Sequence, residues 1–275
     1  MQELVKSLLI AIVFTLLLGT ANKAVADPFA FTTGTPDGQM AMASRPSSPG
    51  RLEIEAADDF ILNSPTIINH ATFTGLLPGV ANILNVRVEI YRVFPNDSVN
   101  PPSGNVTTRV NSPSDVAFDE REFALSELTF TTTTLNSNFT AANSVLNGIN
   151  KFPNQTTGGE GPVSGREVVF DVTFTNPFLL PADHYFFVPQ VELANGEFYW
   201  LSAPRQPPPF TPDLQAWIRN ENLQPDWSRV GTDIVGAGTF NASFSLSGDT
   251  VPELPTMLLL GTGLFAVVAV VRKRR

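Results

Sequence analysis

Apolar and polar residues alternate along several short segments of this chain, a pattern that restricts most of it to β-structure. The alternation has a period of two at residues 86–91, 168–175 and 240–247, which is typical of strands with one buried face and one wet face. Further strands are predicted at residues 51–54, 59–62, 67–73, 124–132, 184–193 and 198–201. So many short strands, without a long helical pattern, predict an all-β fold: a two-sheet β-sandwich that is jelly-roll-like.

Turn signals separate the predicted strands. Asn195 and Gly196 stand between two of them and tolerate positive φ, so they predict a hairpin turn. Helical signals are sparse. One short helix is predicted at residues 141–149, and a second after Thr211 and Pro212, where Leu214, Trp217 and Ile218 fall on one helical face.

The N-terminus has the layout of a secretory signal peptide. Lys6 precedes an apolar segment at residues 8–18, and Ala24 and Ala26 form the small-x-small pattern that signal peptidase requires, so cleavage is predicted before Asp27. The alternative is a retained membrane anchor, which the short apolar segment disfavours. Residues 1–26 are therefore assigned to the signal peptide.

The C-terminus combines an apolar segment with a basic end. Residues 257–271 are apolar but short for a membrane-spanning helix, and Gly261 and Gly263 weaken the helix further. The four cations that follow are costly to translocate and act as a membrane stop on the cytoplasmic side: Arg272, Lys273, Arg274 and Arg275. With the signal peptide removed, the middle of the chain is expected outside the inner membrane.

Residues 251–275 resemble the PEP-CTERM sorting signal of Gram-negative bacteria, many of which make extracellular polysaccharide. The resemblance rests on a Pro/Glu motif, an apolar helix and a basic tail in that order, and it is carried by Val251, Pro252, Glu253, Thr256, Gly261 and Gly263. Leu254 stands where the family has a second proline, with Pro255 one place later. The resemblance implies processing by exosortase near the Pro/Glu motif. An ordinary tail anchor, with the same apolar segment and basic stop, is the alternative.

The segment between the two ends, residues 27–250, is long enough for one exported β-sandwich domain with its own core. It contains no cysteine, which excludes disulfides and thiol chemistry. The formal net charge of the chain is −9, and this segment is more acidic still because cations concentrate in the two ends. An acidic surface disfavours nucleic acid and anionic lipid as partners and is compatible with divalent cations.

No catalytic residue is assigned from the sequence. His184 stands at the start of a predicted strand, where a structural role is expected, and neither a Gly-x-Ser-x-Gly elbow nor a His-Glu-x-x-His motif occurs. A secreted polysaccharide hydrolase that uses Asp119, Glu120 and Glu122 is one alternative, because glycosidases need a pair of carboxylates.

Two binding sites are weighed. Asp58 and Asp59 are adjacent acids that repel each other unless a cation is close; Arg51 or a structural calcium ion are the candidates, and simple exposure is the alternative. Exposed aromatic side chains stack on sugar rings, and four stand in the C-terminal half: Tyr199, Trp200, Trp217 and Trp227. Because neighbours in a strand face opposite ways, Tyr199 or Trp200 is expected to face outward. The alternative is that these aromatic residues belong to the core of the sandwich.

The sequence therefore predicts an exported, non-enzymatic protein of the cell surface or extracellular matrix, with no cofactor other than the calcium ion considered above. Its processing partners are signal peptidase and exosortase, and it passes through an inner-membrane intermediate. A carbohydrate-binding module for extracellular polysaccharide is the second hypothesis.

Overall fold

The computed structural model describes residues 26–77, 79, 81–150, 152–205, 213–236 and 238–251. Residues Pro28–Thr250 form one compact unit. The apolar segments 8–18 and 257–271 lie outside the described residues. Of the helices in the described part of the chain, none is long and apolar enough to cross a membrane.

Strands make up most of the described residues. They are β1 (Pro28–Thr32), β2 (Met40–Ala43), β3 (Ile54–Leu62), β4 (Thr66–Leu77), β5 (Ile83–Arg92), β6 (Asp119–Glu122), β7 (Leu128–Ala141), β8 (Asn143–Val145), β9 (Val163–Leu180), β10 (Asp183–Leu193), β11 (Tyr199–Ala203), β12 (Trp217–Asn220), β13 (Ser228–Arg229), β14 (Asn241–Ala242) and β15 (Phe244–Thr250). A single turn of π-helix, Val230–Val235, follows β13.

The strands form two sheets. The larger has nine strands, with the path β1-β15-β4-β11-β2-β8, and it is extended by β9 on β4, β7 on β9 and β14 on β11. The smaller has six strands in the order β13-β12-β3-β10-β5-β6. All pairs are antiparallel except β2 with β8 among the described strands. The all-β, two-sheet class expected from the alternation is confirmed.

Strongly alternating segments became strands as predicted. Residues 86–91 lie in β5 and 168–175 in β9, whereas the segment 240–247 contributes to β14 and β15 with Phe240 and Ser243 outside both strands. Two weaker predictions were placed too early in the chain. Strand β3 begins at Ile54 rather than at residue 51, and β7 begins at Leu128 after a turn at residues 123–126.

Neither predicted helix is present among the described residues, which form strands at these positions. Residues 141–149 contain the end of β7 and the short strand β8. Trp217 and Ile218 belong to β12, and they are both buried because the two faces of this strand are covered by different apolar clusters. A strand covered on both faces loses its period-two signal, so its apolar residues happened to match helical spacing.

The predicted hairpin at Asn195-Gly196 is also wrong. Strand β10, before it, belongs to the six-stranded sheet, and β11, after it, belongs to the nine-stranded sheet. Gly196 adopts φ 83°, the conformation the turn signal favoured. The bend therefore carries the chain from one sheet to the other instead of pairing its two flanking strands.

Aromatic side chains fill the space between the two sheets. Phe187 of β10 stacks on Phe244 of β15, with ring centroids 5.0 Å apart, and contacts Trp200 of β11 at 6.0 Å. Phe73 of β4 stacks on Phe170 of β9 at 4.7 Å. These rings belong to the main apolar cluster. Because this cluster contains residues from both sheets, it is the core between them.

The outer face of the six-stranded sheet is largely covered by loops. A second apolar cluster lies on this face and includes Tyr91, Phe186 and Trp217, with Trp227 from the loop that follows β12. The indole N–H of Trp227 donates to the backbone oxygen of Ser114, which ties that loop to the one between β5 and β6. This cover leaves the outer face of the nine-stranded sheet as the larger open sheet surface.

Candidate functional site

The outer face of the nine-stranded sheet carries a regular array of hydroxyl groups. Thr129, Thr131 and Thr133 alternate along β7, and all three are exposed. Their registered neighbours on β9, β4, β15 and β1 are mostly serine and threonine as well. We call this surface the hydroxyl face; it comprises Thr32, His70, Thr72, Thr129, Thr131, Thr133, Asp171, Thr173, Ser245 and Ser247.

Strand register aligns these residues in rows across the sheet, because side chains directly opposite each other share a face. One row contains, in order across the strands, Thr129, Thr173, His70, Ser247 and Ala30. The next row contains Thr131, Asp171, Thr72, Ser245 and Thr32. Neighbouring strands lie about 4.8 Å apart and successive rows about 6.7 Å apart, so the hydroxyls form a regular grid.

Some of these groups bind one another. Thr72 Oγ1 and Ser245 Oγ lie 2.6 Å apart, and His70 Nε2 lies 2.9 Å from Asp171 Oδ1. By contrast, no hydrogen bond within the described part of the chain engages the hydroxyls of Thr129, Thr131, Thr133 and Thr173. Each hydroxyl can donate one hydrogen bond and accept two. The array is therefore equipped to bind a polyhydroxylated ligand.

At the centre of the hydroxyl face, a serine, a histidine and an aspartate from three strands lie next to one another. Ser247 Oγ is 3.5 Å from His70 Nδ1, and the other ring nitrogen faces Asp171. The first distance is at the outer limit for a hydrogen bond. The side chains of His70 and Asp171 are 33% and 54% exposed on an open sheet, whose ladder already uses neighbouring backbone N–H groups. The three side chains follow the order of a hydrolytic triad, but the contact between Ser247 and His70 is long and the group lies on an open sheet face.

Sequence reasoning missed the hydroxyl face. Its local signal was present, since Ser245 and Ser247 were the polar positions of an alternating segment and β7 begins with a threonine-rich segment. However, the rows join residues more than 200 positions apart, such as Thr32 and Ser245. Only strand pairing brings them together.

The four aromatic residues considered for sugar binding do not form an exposed platform. Tyr199, Trp200, Trp217 and Trp227 are all buried, with Tyr199 the most exposed at 7%. Alternation turned Tyr199 and Trp200 to opposite faces of β11, but both faces of this strand are covered. The indole N–H of Trp200 donates to the backbone oxygen of Ser243, and that of Trp217 donates to the backbone oxygen of Leu214. Their polar groups therefore also form hydrogen bonds inside the protein.

The predicted calcium pair is divided between two sites. Asp58 points into the space between the sheets, where its Oδ2 accepts from the Ala242 N–H at 2.8 Å. Asp59, on the opposite face of β3, accepts from the Leu214 N–H and lies 2.6 Å from His184 Nε2. Adjacent strand residues face opposite ways, so the two carboxylates do not converge on one ion as the sequence suggested. Arg51, the alternative partner, instead pairs with Glu197.

Burial controls the protonation of both aspartates. It raises the pKa of Asp58 well above its usual range, and the nearby Asp59 carboxylate raises it further. Burial also raises the pKa of Asp59, although the hydrogen bond from His184 opposes the shift. His184 thus has the structural role expected from the sequence. Among the described residues, no group of three or more His, Asp or Glu side chains is arranged to hold a metal ion.

The acids considered for hydrolysis lie on β6 at the edge of the six-stranded sheet. Asp119 pairs with Arg121 at 2.6 Å, and Glu122 pairs with Arg87 at 3.5 Å. These contacts give both carboxylates ionic partners at a sheet edge.

Most of the predicted sorting and processing residues lie outside the described residues. Ala26 and Asp27 are described, but Ala24 is not. Val251 is the one described member of the sorting motif, whereas Pro252, Glu253, Thr256, Gly261, Gly263 and the basic residues 272–275 are outside.

Comparisons with known proteins identify no relative. No family model matches this chain, and neither a curated protein nor a solved structure is significantly similar to it.

Proposed function

We propose that this chain is an exported, non-catalytic protein of the cell surface or extracellular matrix, sorted by a PEP-CTERM-type signal. The support is the order of features in the sequence: a signal peptide at residues 1–26, an acidic domain, and a Pro/Glu motif, apolar segment and basic end at residues 251–275. Signal peptidase cuts before Asp27 in this proposal, and exosortase acts near Pro252 and Glu253 after an inner-membrane intermediate.

The domain between the two signals is proposed to be a jelly-roll-like sandwich that binds a neutral extracellular polysaccharide. Nested pairing of distant strands, β1 with β15, β3 with β12 and β4 with β9, supports the jelly-roll-like topology. The observation that carries the binding function is the grid of exposed threonine hydroxyls on β7 and β9. Because Tyr199 and the three tryptophans are buried, binding in this proposal depends on hydrogen bonds rather than on stacking against them.

Hydrolysis by the hydroxyl face is the competing function, and the Ser247, His70 and Asp171 contacts are the observation in its favour. Turnover of ester or polysaccharide substrates that Ser247→Ala abolishes would establish it. We expect no turnover, because Ser247 Oγ and His70 Nδ1 are 3.5 Å apart and the pair of His70 and Asp171 is open to solvent.

Mass spectrometry of the mature protein from its host tests the sorting proposal. The expected product begins at Asp27 and ends near Pro252–Glu253. A variant that lacks residues 251–275 should leave the inner membrane, whereas Glu221→Ala, an exposed acid in the domain, should be processed normally. An intact chain in the cytosol with both Met1 and Arg275 would contradict the proposal.

Affinity electrophoresis in gels that contain neutral polysaccharides tests the binding proposal. The double substitution Thr131→Val and Thr173→Val keeps the side-chain shape and removes two hydroxyls from the hydroxyl face. Each lost hydrogen bond is worth about 1 kcal/mol, so affinity should fall about tenfold or more. Thr35→Val, an exposed threonine outside the strands, is the matched control. Retardation that is equal in all three proteins counts against the hydroxyl face as the binding surface.

A further inference from the structure

The first half of strand β7, residues 128–134, is an edge without the usual protection against pairing. The whole strand has 14 residues, and within the described residues it pairs with β9 alone. Its first half, residues 128–134, runs in continuous register with β9, and register shifts occur only after Thr134. An edge strand presents a row of unpaired N–H and C=O groups to any strand of suitable length.

The other outermost strands in the described part of the chain carry such protection. Strands β8, β13 and β14 have only two or three residues. Strand β1 has five residues and begins with Pro28, and all four residues of β6 are charged. Short length, proline and charge are the devices by which proteins block edge-to-edge association. Their absence from residues 128–134 distinguishes this edge from the others.

Composition favours pairing of this segment with itself. Residues 128–134 read Leu-Thr-Phe-Thr-Thr-Thr-Thr, with high β-propensity and neither charge, proline nor glycine. The chain as a whole has a net charge of −9, so most of its surface repels a second copy. An uncharged edge strand is where two copies can meet without opposing like charges.

Apolar side chains next to β7 add to this surface. Phe123 and Leu125, in the turn before the strand, are 43% and 64% exposed. The Phe123 ring packs edge-on against Phe130 of β7, with centroids 5.0 Å apart. Exposed apolar groups beside an open edge are typical of an interaction surface.

We propose that β7 joins two copies of this chain, paired antiparallel along residues 128–134, so that their nine-stranded sheets become continuous. The contact is two-fold symmetric, since an antiparallel pair of identical strands is self-complementary. It uses backbone hydrogen bonds, as in other complexes that extend a sheet by one strand. The inference goes beyond the proposed function and does not depend on polysaccharide binding or sorting.

Charge placed at Thr132 tests this contact. Thr132 is exposed and alternates with Thr131 and Thr133, so it faces away from the hydroxyl face. In sedimentation velocity of the full chain in a neutral detergent, the wild type should form dimers. Thr132→Lys and Thr132→Glu should each weaken dimerisation at least tenfold, because like charges meet near the two-fold axis. Thr35→Lys, outside the strands, should dimerise like the wild type.

Mixing the two variants decides the geometry. Thr132→Lys and Thr132→Glu together should restore the dimer, because opposite charges then lie diagonally across the two-fold axis, within reach of each other's long side chains. If the unfolding midpoints of both variants equal that of the wild type, the dimer was not lost by misfolding. A wild type that stays monomeric, variants that dimerise like the wild type, or a mixture of folded variants that stays monomeric would each overturn the proposal.

Discussion

The carboxylate of Asp58 accepts a hydrogen bond from the backbone N–H of Ala242 at 2.8 Å and thereby links the two sheets through the core. Asp58 is fully buried, and its other oxygen, Oδ1, has no hydrogen-bond partner in the described part of the chain. A buried carboxylate in this setting is stabilised when it keeps its proton.

Asp58 should therefore make stability depend on pH. Burial and the Asp59 charge raise its folded-state pKa above the unfolded value, with Asp213 a further like charge, so the folded state holds the proton to higher pH. The stability of the wild type should fall as pH rises from about 4 through the raised pKa. Asp58→Asn keeps an acceptor for the Ala242 N–H without a charge. The free energy of unfolding of this variant, relative to that of the wild type, should therefore be higher at pH 8 than at pH 4. Urea unfolding from pH 4 to 8 measures both proteins, and equal pH slopes would contradict this assignment.

The two histidine–aspartate pairs should differ in their contribution to stability. Asp59 is 1% exposed, so His184→Ala removes a partner from a buried carboxylate and should cost about 1–3 kcal/mol. His70 and Asp171 form the matched exposed pair, and His70→Ala should cost about 0–1 kcal/mol. Chemical denaturation at neutral pH compares the two variants, and similar losses would show that burial is not the deciding factor.

Arg219 should be costly to remove. Its guanidinium binds both carboxylate oxygens of buried Glu55 and also donates to the Tyr91 hydroxyl at 2.9 Å. Arg219→Met leaves Glu55 charged and buried without its partner, which should cost about 3–5 kcal/mol. Arg92→Met is the control, because Arg92 is 30% exposed and its pair with Asp97 is worth about 1 kcal/mol or less. A loss at Arg219 no larger than the loss at Arg92 would argue against this network.

Gly75 should not tolerate a side chain. A Cβ there would lie 2.2 Å from Phe198 Cε2 and 2.6 Å from the Tyr199 backbone oxygen, because β11 pairs with this part of β4 and the Phe198 ring occupies the adjoining space. Gly75→Ala should destabilise the fold by about 3 kcal/mol. A double-mutant cycle with Phe198→Leu should show favourable coupling, since the smaller side chain relieves part of the clash. Additive losses would mean that the ring is not the obstacle.

Tryptophan fluorescence should not report ligand binding. All three tryptophans are at most 1% exposed, so acrylamide should quench them weakly and polysaccharide should leave their emission unchanged. The same polysaccharide should still retard the protein in affinity gels if the hydroxyl face binds it. Strong quenching by polysaccharide would place the ligand near a tryptophan and contradict the structure.

The local alternation of apolar and polar residues was sufficient to predict a strand where one face of that strand is buried and the other is exposed to solvent. Residues 86–91 and 168–175 alternate for that reason, and both lie within strands. Pattern failed at Trp217 and Ile218, because β12 is covered on both faces and its alternation disappears. It failed again at Asn195-Gly196, since a turn residue specifies a local bend and not the sheet that the next strand joins.

The sequence by itself determined the β-class of the domain, its acidity, its lack of cysteine and the features of its two ends, all of which follow from composition or short-range order. Tertiary structure alone decided that Trp200 is buried, that Asp58 and Asp59 serve different faces, and that Thr131 lies in a row with Ser245. Those outcomes depend on register between strands far apart in the chain, and no local propensity encodes which distant strand a segment will pair with.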